Sequence, residues 1–164
     1  SLKRNLNMYV LAEDTDGSLT TANSALKQNL KEWLNRYRMI NDTIDILDGK
    51  VVNLGIEFTL MSDNDVNKFD VLAQASQDIR DKVVRSMFIG ERFMITDVYK
   101  VLNATRGVAD VISVSLVNKR GGIYTQTGMD IDTFLSADGR YLSCPDNVAF
   151  EIKYPLSDIK GTVK

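Results

Sequence analysis

Histidine is absent from all 164 residues, cysteine occurs once and proline twice. Without imidazole no histidine-based triad can be built, and one thiol cannot assemble a zinc or iron–sulfur cluster. Cys144 has no partner for an internal disulfide and no histidine to activate its thiolate, so it reads as a bystander in a loop before Pro145. Long hydrophobic runs are missing too. No stretch approaches the roughly 20 apolar residues that cross a bilayer as a helix, no signal-peptide pattern opens the sequence, and no membrane partner is expected. Neither sign of charge dominates: 20 basic residues stand against 22 acidic ones, dispersed along the chain for a net charge of -2. The long-range field that draws a phosphate backbone is therefore lacking, and no nucleic-acid partner is expected. An initiator methionine is also lacking, since the sequence opens Ser1-Leu2-Lys3, and the expectation is a piece of a longer polypeptide.

What is present is periodicity. A chain of this length can bury a core without disulfide or metal staples. Residues 6–12 alternate as a strand, with Leu6, Met8, Val10 and Ala12 on one face, and Asp14-Thr15-Asp16-Gly17 supplies a turn. A helix follows, with Thr20 or Thr21 as its cap and Ala22, Leu26, Leu30, Trp33 and Tyr37 on one stripe expected to face the core. Residues 43–47 read as a short strand and Asp48-Gly49 as a hairpin turn. Residues 51–61 then carry the cleanest alternation: Val52, Leu54, Ile56, Phe58 and Leu60 inward, Asn53, Gly55, Glu57 and Thr59 toward water. A second helix is expected over 65–88, with Phe69, Leu72, Ile79, Val83 and Met87 inward, and a shorter one from a Thr96 cap to Gly107. In "NATRGVADVISVSL", Ile112, Val114 and Leu116 repeat the strand period.

This order predicts an α+β fold of split-βαβ (ferredoxin-like) type, an antiparallel sheet with its helices on one face, over residues 1–118. Residues 119–164 are expected as a β-containing C-terminal extension or arm, docking on its own domain or on a neighbour. Lys119-Arg120-Gly121-Gly122 is its hinge, and residues 130–135 a helical turn. In this arm Val148, Phe150, Ile152 and Tyr154 alternate as a strand face and are the expected interface residues.

The residues that could carry chemistry each have a plainer reading. Asp14-Thr15-Asp16-Gly17 lacks the further oxygens and the closing glutamate of a calcium loop. Asp63-Asn64-Asp65 sits where a helix needs capping and dipole compensation. Gly121-Gly122 fits neither a P-loop nor a dinucleotide fingerprint. Arg36 and Arg38 flank Tyr37, but the face of Asn53, Gly55, Glu57 and Thr59 offers no aromatic platform for a base. No catalytic residue, metal site or cofactor is expected.

Four segments in order, "MYVLAED", "LNRYRMINDTIDIL", "VVNLGIEFTL" and "GERFMITDVYKVLNATRGVADVISVSL", span about residues 8–118. In this order the chain resembles the baseplate J-like family of contractile phage tails, in particular its homodimer-forming wedge members. It departs from commoner members in lacking a proline in Arg38-Met39-Ile40-Asn41 and in its longer stretch after Asn118. The resemblance implies a nonenzymatic virion structural protein of the tail baseplate, assembled in the host cytoplasm. Its implied partners are itself, as homodimer or ring, and other baseplate wedge proteins. A small-ligand-binding regulatory module of ferredoxin-like topology is the alternative, with a pocket between paired domains. An enzyme built on carboxylates is a third reading.

Overall fold

A computed structural model describes residues 4–164, and the opening tripeptide lies outside them. Among the described residues the fold is mixed α/β, with five helices and ten strands in four small sheets. The first alternating stretch forms β1 (Arg4–Val10). After the short β2 (Ala12–Glu13) and β3 (Leu19–Thr20) it leads to α1 (Ser24–Asn35) and β4 (Asp42–Asp48). β1 and β4 pair in parallel, with Leu6 opposite Ile44 and Met8 opposite Ile46, so this part is a βαβ unit. Asn23 caps α1 by accepting from the Leu26 amide at 2.7 Å. Neither expected cap, Thr20 or Thr21, serves; Thr20 is engaged in β3, opposite Ala12.

The expected hairpin at Asp48-Gly49 does not form. β4 runs straight on into β5 (Lys50–Ser62), and one residue changes partners: the Gly49 amide donates to the Val10 carbonyl at 2.9 Å, the Lys50 amide to that of Asn147 at 2.8 Å. Gly49 is required for close approach, since a Cβ there would lie 2.9 Å from Leu11 Cγ.

β5 organises the rest. It is followed by α2 (Lys68–Lys82), β6 (Phe93–Met94), α3 (Ile95–Ala104) and β7 (Val108–Lys119). Then come α4 (Ile131–Phe134), β8 (Tyr141–Leu142), β9 (Val148–Glu151), α5 (Pro155–Asp158) and β10 (Ile159–Val163). β7 lies antiparallel along one side of β5, while β9 and β10 lie parallel, one after the other, along the opposite side. α2 and α3 pack on each other, on β10 and on β7. Under them Val52, Leu54, Ile56, Phe58 and Leu60 are all buried, with Ile79, Val98 and Leu102 from the helices. Burial of each such side chain stabilises by roughly 1.5–3 kcal/mol.

Two expectations are corrected here. β1 and β4 do not join β5, β7, β9 and β10, so the strands do not form one split-βαβ sheet. The reason is in β5, whose two edges are already filled by β7 and by the C-terminal strands. Nor is residue 118 a boundary, because residues 119–164 supply two of the three strands hydrogen-bonded to β5.

Candidate interaction surface

Asn53 and Gly55 were expected to face water, yet both are buried, because the C-terminal part of the chain covers this half of the sheet. Asn53 donates to Glu151 Oε1 at 3.0 Å and accepts from the Thr125 amide at 2.9 Å. Asn118 binds the backbone carbonyl of Asn53 and accepts from the Met129 amide. Asp158, buried, accepts from the Tyr154 amide at 3.0 Å and from the Tyr124 hydroxyl. Farther along, Glu57 is exposed as the alternation predicts, and Thr59 is half-buried. Every buried side-chain polar atom among the described residues has a partner, so this network latches the C-terminal part in place.

The Tyr124 phenol is held above its ordinary pKa by its hydrogen bond to the Asp158 carboxylate, with burial adding to the effect. The protonated phenol is thus favoured by folding. Its contribution is fully present below the unfolded value near 10 and is lost as pH rises through the higher folded value. Tyr124→Phe is expected to cost about 1 kcal/mol at pH 7, and the gap to the parent should narrow above pH ~10; urea unfolding across pH 7–11 measures it.

Of the four expected interface residues, Val148, Phe150 and Ile152 are buried in the core of their own chain, and only Tyr154 reaches the surface. The strand is shorter than the period implies, ending at Glu151 with Ala149 buried as well, and β9 pairs with β5 directly, Phe150 opposite Val52. Cys144 is half-buried beside that core, its thiol pushed up to about 11 by burial, and donates to the Val148 carbonyl. Among the described residues no three metal-ligating side chains converge. The concavity between α3, β7 and α4, about 450 Å³, is floored by Ile95, Val114 and Leu116 and rimmed by Tyr99, Asp132 and Arg140. It is an open depression with no charged group buried in it.

Exposed apolar side chains gather instead on the βαβ unit. On α1 only Lys27, Leu30 and Leu34 turn partly inward; Leu26, Trp33 and Tyr37, expected in the core, lie along its flank. Trp33 is 54% exposed and Tyr37 72%, their rings stacked obliquely at 4.9 Å. Met39 and Ile40 follow, Ile40 at 97% exposure, and Leu6 on β1 is 53% exposed. α1 runs back between two parallel strands, so its last turn lies at the same end of the unit as Leu6. A two-stranded parallel sheet under one helix is also far less covered than parallel sheets ordinarily are. Periodicity marks Leu26, Trp33 and Tyr37 as one helical stripe; it does not show that β4 takes up only one side of it.

No family model matches the chain, and no curated protein matches it.

Proposed function

We propose that the chain is a structural module of a phage contractile-tail baseplate wedge, acting by homodimerisation and by contacts to neighbouring baseplate proteins. Its place is the virion tail baseplate, after assembly in the host cytoplasm, and its role is structural and nonenzymatic. The reading draws on the resemblance of residues 8–118 to the baseplate J-like family, most of all to the wedge protein of T-even phages that forms homodimers in the inner baseplate. The observation that carries it is the under-covered βαβ unit, on which Leu6, Leu26, Trp33, Tyr37, Met39 and Ile40 are all exposed. Of the split-βαβ (ferredoxin-like) pattern the reading uses only that unit, residues 4–48.

Exposed apolar side chains of this kind favour association. Sedimentation velocity from micromolar to several hundred micromolar protein is expected to show a concentration-dependent dimer or larger species without any added ligand. A strict monomer whose melting temperature rises with small metabolites would overturn the reading in favour of the regulatory module.

A further inference from the structure

The ladder between β1 and β4 decides which way each backbone group of β1 points. The Arg4 amide donates to the Asn41 carbonyl at 3.2 Å, and the Val10 carbonyl accepts from Gly49 at 2.9 Å. In a parallel pair alternate residues face the partner strand. Arg4, Leu6, Met8 and Val10 therefore turn their amides and carbonyls to β4, and Asn5, Asn7 and Tyr9 turn theirs outward, where no strand among the described residues pairs with β1.

β4 and the edges of the larger sheet are defended in part. On β7 the outward Val114 amide is taken by the Tyr99 hydroxyl at 3.2 Å, and the Val111 amide by its neighbour Asp110 at 2.9 Å. On β9 the Val148 carbonyl is taken by the Gly90 amide at 2.7 Å. β10 is short and carries Lys160. β4 bears Asp42, Asp45 and Asp48, which would repel a second β4. Residues 5–10 of β1 have no charge, proline or glycine, the devices that protect an edge from another strand.

We propose that the β1 edge is a self-docking site that takes β1 of a second copy, antiparallel, about a two-fold axis at Asn7. This rests on the assembly reading above and names its surface. The outward residues 5, 7 and 9 are symmetric about Asn7, so Asn7 meets its own counterpart and Asn5 meets Tyr9 of the partner subunit. About six backbone hydrogen bonds form at once. The same register sets Leu6 against Met8 of the partner subunit on the face that α1 shares, and keeps Asn5 and Asn7 on the polar face. The product is one four-stranded sheet in which each β1 becomes internal. No like charges meet between residues 5 and 9, so the partner that fits is the same chain.

Asn7→Pro tests this, because the amide it removes points away from β4 and edge strands tolerate proline there. The expected result is at least a tenfold rise in the dimer dissociation constant by sedimentation, with an unchanged thermal melt. Independently, Leu6→Cys and Met8→Cys, each in a Cys144→Ala background, are mixed and oxidised. Opposed positions of this type lie about 4.5 Å apart at Cα, within disulfide reach. The mixture is expected to form a disulfide-linked dimer and each variant alone is not. A dimer that persists in Asn7→Pro and gives no mixed disulfide overturns the β1 site while leaving assembly standing; a parent chain monomeric at every concentration overturns both.

Discussion

Ending the chain after Asn118 is expected to abolish cooperative folding. The cut removes β8, β9 and β10, and with them Leu142, Val148, Phe150, Ile152 and Ile159, all of them buried. Burial of five such side chains is worth roughly 8–15 kcal/mol as an upper estimate. That matches the entire net stability of an ordinary domain, about 5–15 kcal/mol. The loss is not confined to apolar area. One whole edge of β5 would be stripped of its ladder, and buried Asn53 would lose both the Glu151 carboxylate and the Thr125 amide. Circular dichroism of residues 1–118 should show no cooperative melt, and the fragment should collect in inclusion bodies. A fragment that melts near the parent temperature and merely ceases to self-associate would mean that residues 119–164 act in trans, as a detachable arm.

Where the sequence was readable, one residue's surroundings lay on one face of one element. The inward face of β5, Val52 to Leu60, is of that kind, and so is Gly107, whose positive φ of 88° ends the α3 exit. On β7 an irregularity opposite Thr59–Leu60 buries Val111 and leaves Ile112, expected inward, exposed. What escaped notice depends on distant residues. β10 looks unpromising because Gly161 interrupts Ile159-Lys160-Gly161-Thr162-Val163, yet a Cβ there would sit 2.3 Å from Phe58 Cζ and 2.5 Å from Leu72 Cδ1. Glycine is thus what lets β10 close on β5 beneath α2. Phe69 reads as a core residue by spacing, but lies on the outer side of α2, highly exposed. The candidate surface failed to show for a related reason. Leu26, Trp33 and Tyr37 share a helical stripe whether they face a core or a partner, and the pattern of one chain cannot tell these apart. The unguarded β1 edge is legible only once β4 is known to be the strand that pairs with it among the described residues, since that fixes which amides point outward.

Ile56→Asp is expected to prevent folding at neutral pH. Ile56 is fully buried at the centre of β5, opposite Leu116 on β7 and Ile159 on β10. A carboxylate there would have no partner, since the facing side chains from all three strands are apolar. The apolar transfer lost is roughly 2–3 kcal/mol, and an unpaired charge in the interior costs several kcal/mol more before it neutralises. The sum approaches the net stability available. The introduced carboxyl would have its folded pKa raised above the unfolded value near 4. Its penalty is therefore smallest below that pH and grows as pH rises through the unfolded value. Relative to the parent, the variant should be least destabilised at pH ~3 and most at pH ~7. The control is Thr59→Asp, three residues along the same strand on the opposite face, half-buried and without apolar neighbours across the ladder in Ser113 and Thr162. That substitution should shift stability by about 1 kcal/mol or less. Equal melts for the two variants would mean that the inward face of β5 is not the one formed by Val52, Leu54, Ile56, Phe58 and Leu60.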